Sequence, residues 1–245
     1  MPEPAFARPR LRLILRVGLR TVLLGVSVLT CASAWALQPG VREQELSQCL
    51  PGEATHWGDG RDRAAPLGQV RLVYRHAGAP PWFSDLQVRA RVQQAAIAWA
   101  PCGVPVVVVP EDAEGSRDAR KQADDGTVLV HWPADGQAAT FGLARLAQRR
   151  LDLGRGAFEL LRQRNPAYPA LDVLQMVVAH EMGHFFGLMS HSSRCVDVMS
   201  YYTNAQGQSC KTRDGQDHRR LPEYRALLPT ACDIQRCRAV NGFLP

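Results

Sequence analysis

Apart from one run near its N-terminus, the sequence lacks an apolar stretch long enough to span a bilayer, and it has no internal repeat or low-complexity tract. It also lacks a motif in which basic and aromatic residues combine as they do in nucleic-acid-binding modules. These absences exclude a multi-span membrane protein and a repeat protein, and we expect no nucleic-acid partner. The cluster formed by Lys211, Arg213, Arg219 and Arg220 is interpreted as a solvated loop.

The single apolar run has the outline of a secretory signal peptide. Five arginines precede an uncharged segment from Thr21 to Leu37 that ends in small residues. As a helix, its 17 residues would span about 26 Å, which is shorter than the roughly 30 Å hydrocarbon core of a bilayer. We therefore predict a signal peptide over residues 1–36, export to the periplasm or the medium, and no stable membrane association after cleavage. A retained signal anchor is the alternative.

Removing this segment changes the charge of the chain. It holds five of the 29 basic residues and one of the 23 acidic residues, so the formal net charge falls from +6 to +2. The basicity of the whole chain therefore belongs mostly to the export signal, and it gives no separate argument for a polyanionic partner.

Six cysteines remain in the predicted mature chain, and an even number in an exported protein indicates three disulfides. If Cys232 and Cys237 are both helical, their Cα atoms lie about 8.7 Å apart, beyond the roughly 7 Å that a disulfide tolerates. These two should pair elsewhere unless the helix begins after Cys232, and Cys195 with Cys210 is one candidate pair. The connectivity stays open among all the candidates: Cys49, Cys102, Cys195, Cys210, Cys232 and Cys237.

The most informative segment is the run H-E-M-G-H-F-F-G-L-M-S-H, which extends from His180 to His191. Residues four apart share a helix face, so His180 and His184 can direct their imidazoles at one metal ion. Gly187 allows the helix to stop and the chain to reverse, which brings His191 round as a third ligand. Three protein ligands leave the fourth tetrahedral position of zinc for water, and Glu181 is placed to accept a proton from that water.

This run, with Met199 in the stretch that follows it, resembles the signature of the metzincin zinc peptidases, and most closely that of the matrixin branch. The resemblance implies that Met199 lies beneath the metal. The chain differs from matrixins at Tyr201, where they usually carry proline. A tyrosine here is similar to the astacin and serralysin branches, in which it contacts the zinc or the oxyanion, so Tyr201 is either catalytic or a packing residue. The resemblance covers about residues 67–245, and its specific part is 180–202.

Hydrophobic periodicity predicts the elements that lead to this site. A capping box at Ser84 and Gln87 opens a helix that ends before Pro101. Asp172 is expected to cap the zinc-site helix, and Thr230 to open a last helix. Alternating or β-branched apolar runs predict strands at 69–75, 104–109, 127–132 and 142–148.

This order of elements is that of a matrixin catalytic domain. The resemblance implies an α+β fold: a twisted mixed sheet packed on helices, with the zinc-site helix and a small C-terminal subdomain. We expect a signal peptide at 1–36, a short N-terminal segment at 37–66, and the catalytic domain at 67–245, with its C-terminal subdomain from about 188.

The peptide around Cys102 looks like the cysteine switch that keeps matrixin zymogens latent. It follows the first helix of the predicted domain instead of preceding the domain, so we interpret Cys102 as structural. A disulfide is also the expectation for Cys49.

The sequence therefore predicts an exported, monomeric zinc endopeptidase with one catalytic zinc ion. Its protein or peptide substrate would lie extended along an edge strand at 142–148. The alternative is a zinc-containing binding protein or inactive homologue that uses the cleft for a partner, although the intact Glu181 argues against it. A zinc hydrolase of non-peptide amides is a third hypothesis. Calcium stays open, and a second zinc site has no evident ligand cluster, because the other histidines are scattered: His56, His76, His131 and His218.

Overall fold

The computed structural model describes residues 40–110, 126–134, 140–215 and 224–243. The predicted signal peptide, residues 1–36, lies outside the described residues, as does part of the predicted solvated basic loop. Within the described ranges, no helix combines the length and the apolar character needed to cross a bilayer.

The described residues form a five-stranded mixed sheet with helices packed against it, and the α+β prediction is confirmed. Along the sheet the strands follow the order β2-β1-β3-β5-β4. All neighbouring strands are parallel except the edge strand β4, which is antiparallel to β5. The strands are β1 (Val70–Tyr74), β2 (Val106–Val109), β3 (Thr127–His131), β4 (Gly142–Arg145) and β5 (Arg150–Leu153).

The predicted strand at 142–148 is too long. β4 ends at Arg145, and Leu146–Gln148 form a turn of 3-10 helix before the chain reverses at Arg149, whose φ is 52°. The strand that follows, β5, was missed: its four residues do alternate between charged and apolar, but four residues are the shortest run in which alternation indicates a strand. It is nevertheless central to the sheet, where Leu151 and Leu153 are fully buried.

The helices are α1 (Val41–Ser47), α2 (Asp85–Trp99), α3 (Arg155–Arg164), α4 (Ala170–Phe185) and α5 (Ala231–Val240). In α2, the predicted capping box is present, since the hydroxyl of Ser84 accepts from the backbone of Gln87 and the side chain of Gln87 accepts from the backbone of Ser84. The buried face of α2 is the predicted one: Val88, Val92, Ala95, Ala96 and Trp99. Helix α3 was not predicted.

Helix α4 carries two of the candidate ligands and is buried around almost its whole circumference. It begins after Pro169, so Asp172 lies in its first turn and does not cap it, which corrects the prediction. The C-terminal end follows the predicted mechanism. Gly187 adopts φ 101°, and the N–H of Leu188 donates to the carbonyl of Gly183, a bond that closes a helix through a left-handed residue.

Helix α5 begins with the second capping box, formed by Thr230 and Asp233 as their spacing predicts. Both cysteines of this helix are helical and pair with distant partners, as the Cα geometry requires. The prediction of three disulfides is confirmed, and they join Cys49 to Cys232, Cys102 to Cys237 and Cys195 to Cys210. Disulfides persist in oxidising compartments, so the protein functions outside the reducing cytosol.

The N-terminal segment packs against the C-terminal part of the chain. Glu45 of α1 is fully buried, where its carboxylate accepts from the hydroxyl of Tyr224, from the backbone N–H of Arg213 and from the guanidinium of Arg194. Because a buried carboxylate is costly without partners, these bonds fix α1 in place. The disulfide from Cys49 adds a covalent attachment to α5.

Candidate metal centre

Two candidate ligands lie one turn apart on α4, and the helix is held rigidly by its neighbours. The ring centroids of His180 and His184 are 5.2 Å apart. The indole N–H of Trp99 on α2 donates to the carbonyl of Ala179, at 2.9 Å, immediately before the first of these histidines. Each ring is oriented through its Nδ1 atom, which lies 2.8 Å from the carbonyl oxygen of Val198 for the first histidine and 2.6 Å from that of Leu188 for the second.

The third candidate ligand, His191, lies on the loop after Gly187. Its ring centroid is 5.2 Å from that of His180 and 5.3 Å from that of His184. The Nδ1 atom of His191 lies 2.6 Å from Oδ2 of Asp59, a residue of the N-terminal segment. The structure therefore brings together the three histidines that the sequence pattern selects.

These side chains could hold a metal ion. One nitrogen of each of the three histidines lies within 4.8 Å of the others. Because each Nδ1 is bonded to an acceptor, each Nε2 is left as a lone-pair donor. The Nε2 atom of His191 is buried and has no hydrogen-bond partner among the described residues, which is unusual for a polar atom.

Burial also favours the neutral form of the two imidazoles on α4. It lowers the pKa of His180 well below its usual value, and the neighbouring His184 adds to this effect. The pKa of His184 is lowered to about 4, chiefly by burial. Neutral imidazole is the form that binds a metal, so these two side chains need no proton loss near neutral pH.

Glu181 lies between the three histidines and the edge strand. Its Oε2 accepts from the backbone N–H of Ala144 in β4, at 2.7 Å. Burial raises the pKa of Glu181 to about 7, against the opposing effect of that hydrogen bond. The strand approaches closely because Gly142 has no side chain: a Cβ there would lie 2.5 Å from Cγ1 of Val177 and 2.9 Å from Cγ of Glu181.

Met199 is fully buried. It packs against Gly183 of α4, whereas Gly142 of the edge strand packs against Val177 and Glu181. A Cβ on Gly183 would lie 2.3 Å from Sδ of Met199, so the helix and the methionine touch through a glycine. The backbone N–H of Val198, the preceding residue, donates to Asp233 of α5 at 2.9 Å. This packing attaches the segment around Met199 to both helices.

The ring of Tyr201 stacks on that of His191, with centroids 3.7 Å apart, and lies 5.7 Å from that of His180. Burial, and then the Glu181 carboxylate, raise the pKa of its phenol. Its side chain is nevertheless 47% exposed, so a bound molecule could reach it. The structure places Tyr201 beside two of the three histidines, and both the catalytic and the packing hypothesis stay open.

A cavity of about 220 Å³ opens beside Glu181 and Tyr201. Its walls are mostly apolar, and a cation, Arg225, lies among them. The apolar side chains and His180 thus line the same space. The lining consists of Thr140, Phe141, Gly142, Met176, Val177, His180, Glu181, Tyr201 and Arg225.

Sequence reasoning missed three residues of the site: Asp59, Ala144 and Arg225. Ala144 acts through its backbone N–H, which no side-chain pattern reveals. Asp59 is 132 residues from His191 along the chain, in a segment without periodic signal. Only the fold brings such residues together.

The chain matches no family model and no curated protein. Among solved structures, a chain from the GM1-bound form of the ECX AB5 holotoxin is similar, with a TM-score of 0.45 and 15% sequence identity. The similarity covers 80% of this chain and 92% of that chain.

The prediction of an endopeptidase finds no support in these comparisons, and the similar protein is described as a GM1-bound holotoxin. The alternative, a zinc-containing protein that uses its cleft for a partner, is therefore taken forward in place of that prediction.

Proposed function

We propose that this protein is a zinc-containing binding protein of metzincin-like architecture, whose cleft takes an extended polypeptide partner. The observation that carries the proposal is the convergence of three imidazole nitrogens within 4.8 Å, one of which is buried and without a hydrogen bond. Three imidazoles are a donor set that suits zinc, so His180, His184 and His191 would hold the ion. When bound, zinc would supply a Lewis-acidic centre that attracts a carbonyl oxygen.

The edge strand β4 supports an extended partner. The N–H of Ala144 points away from β5 and toward Glu181, so the carbonyl of Ala144 also lies on the open side of the strand. A polypeptide laid along this edge would replace Glu181 as the acceptor of this N–H and would donate to this carbonyl, as an added strand. It would pass beside the 220 Å³ cavity, where one of its side chains could be buried.

A second candidate is hydrolysis of the bound ligand, and Glu181 is the observation that favours it. Metal binding does not require this carboxylate, yet it is buried beside the three histidines with a pKa raised by burial to about 7. A carboxylate in that position can accept a proton and return it to a leaving group.

The test uses the mature chain and a library of extended peptides. The zinc content is measured first, with one equivalent expected. Peptide affinity is then measured by fluorescence anisotropy with Glu181→Gln, so that turnover cannot remove the ligand. Removal of the zinc by a chelator should abolish binding, and its return should restore binding.

A matched change at the edge strand tests the mode of binding. Ala144→Pro removes the N–H that faces the cleft, a change that edge strands tolerate. It should weaken peptide binding about tenfold or less, the contribution of one hydrogen bond, with the zinc content unchanged. A chain that binds no zinc, or peptides that bind equally well without it, would overturn the proposed function.

A further inference from the structure

The segment 55–63, called the strap here, crosses the loop that carries His191. It runs beside this loop with backbone hydrogen bonds at three points. The N–H of Ser193 donates to the carbonyl of Thr55, that of Trp57 to the carbonyl of His191, and that of Arg63 to the carbonyl of Gly187. The strap lies outside the predicted catalytic domain, which begins at 67, yet it borders the metal-binding residues.

One side chain of the strap reaches His191 directly. Oδ2 of Asp59 lies 2.6 Å from Nδ1 of the imidazole, and Oδ1 accepts from the backbone N–H of the same histidine at 2.9 Å. Oδ1 also accepts from the hydroxyl of Ser190 at 2.9 Å. A single carboxylate thus fixes the ring and the backbone of one ligand.

The other two histidines are oriented differently. Their Nδ1 atoms meet the backbone carbonyls of Val198 and Leu188, which are neutral acceptors. His191 therefore has a charged acceptor, and it is the one ligand of the three that does not belong to α4. Its loop needs such a bond, since no helix sets the direction of its ring.

We propose that Asp59 is a positioning residue for the metal site. It holds His191 in the tautomer with the proton on Nδ1 and turns Nε2 toward the other two imidazoles. A charged acceptor also makes the imidazole a stronger donor to a metal. This inference rests on the proposed function, because it concerns the affinity of the site for zinc.

Asp59→Asn is the most informative change, because asparagine has nearly the same side-chain size and shape as aspartate. The asparagine amide can donate to Nδ1, which would favour the tautomer with the proton on Nε2, the atom that should bind the metal. Asp59→Ala removes the acceptor without this reversal. Ser190→Ala is the matched control, since it removes a bond to the same carboxylate and leaves the imidazole bond in place.

The affinity for zinc is measured by competition with a chelator. Loss of an outer partner of a ligating histidine costs 10- to 100-fold, and we expect the lower part of this range, roughly tenfold, because the Asp59 side chain is 38% exposed. Asp59→Asn should weaken binding at least as much as Asp59→Ala, and Ser190→Ala by less than about threefold. The visible spectrum of the cobalt-substituted protein should change for the two Asp59 variants alone.

A second measurement needs no variant. The zinc-free wild-type protein is examined at a pH above the range in which histidine titrates. Side-chain nitrogen NMR should then show His191 protonated on Nδ1. A predominantly Nε2-protonated ring would overturn the inference, as would unchanged zinc affinity in Asp59→Asn. The two proposals fail in different ways. If the wild-type protein does not bind zinc, the proposed function and this inference are both overturned. If it binds zinc tightly and the Asp59 variants bind equally well, only this inference is overturned.

Discussion

The candidate ligands are held in two different ways, one on α4 and the other on the loop that follows it. His180 and His184 are placed by the helix itself, because residues four apart share a face. His191 is placed by contacts with residues far away in the chain, above all Asp59. We call α4 with His180 and His184 the helix side, and the loop with His191 the loop side. The helix side should tolerate the loss of single tertiary contacts, whereas the loop side should depend on them.

The loop side also contains more charge. Asp197 is fully buried and accepts from Ser192, Arg194 and Thr230. Burial raises the pKa of Asp197, an effect that the Arg194 guanidinium opposes. The helix side, by contrast, is stabilised by apolar packing against the sheet and α2, and such packing is not directional.

The largest expected effect comes from removal of a helix-borne ligand. His184→Ala leaves two imidazoles, which is an incomplete zinc site, so bound zinc should fall from one equivalent to almost none. The measurement is metal analysis after dialysis. His76→Ala is the control, because this histidine bonds the hydroxyl of Tyr74 and lies outside the site. Full zinc content in the His184 variant would contradict the assignment of the ligands.

The next effect separates binding from hydrolysis. If the site turns over a ligand, Glu181→Gln should keep zinc and fold but reduce turnover on the order of 10²- to 10⁴-fold, as loss of a general base does. The assay uses a library of peptides and non-peptide amides with a chelator control. Glu159→Gln, on the exposed face of α3, is the matched substitution and should have no effect. If the Glu181 variant turns over substrate at the wild-type rate, Glu181 is not the base. If the wild-type protein shows no turnover at all, binding is the function that remains.

The third prediction concerns the loop side only. Replacing Cys195 and Cys210 together by serine opens a disulfide between residues 15 apart in sequence, which should cost about 3 kcal/mol of unfolding free energy in the chain-entropy model. Hydrogen exchange should accelerate in the loop around His191 and stay slow in α4. Equal acceleration in both regions would show that the two sides are not independent.

The fourth prediction tests the contact between the two sides. Gly183→Ala places a Cβ against Sδ of Met199, in a fully buried position. Such overpacking should destabilise the protein by about 1–3 kcal/mol in chemical denaturation. Adding Met199→Ala makes room, so the double variant should be less destabilised than the sum of the two single variants. If the losses of unfolding free energy in the two single variants add strictly in the double variant, Gly183 and Met199 are not in energetic contact.

The smallest effect is a pH dependence that belongs to the loop side. A hydrogen bond from the Arg213 guanidinium lowers the pKa of Glu53 from 4.5 to about 2. A lowered pKa contributes stability above the unfolded value, and that contribution is lost as the pH falls from about 4.5 toward 2. Glu53→Gln should reduce the loss of stability in this window, measured by denaturation at several pH values. An unchanged pH profile would show that the ion pair has no net effect on stability.

Local signals predicted much of the scaffold. The capping boxes at Ser84 and Thr230 marked the starts of α2 and α5, because a cap is satisfied within one turn of the chain. Strand β5 and helix α3 were missed. Their sequences combine few apolar residues with many charges, and their burial comes from neighbours that are distant in sequence.

The sequence by itself determined the spacing of the two candidate ligands on α4 and the reversal at Gly187, and it selected His191 as the third candidate nitrogen donor. These follow from helical geometry and from the backbone freedom of glycine, which act over a few residues. Only the tertiary structure decided which carboxylate orients His191, which N–H holds Glu181 and how the six mature cysteines pair. Those outcomes depend on contacts between segments far apart in the chain, whose geometry is fixed only when the sheet, the helices and the strap pack together.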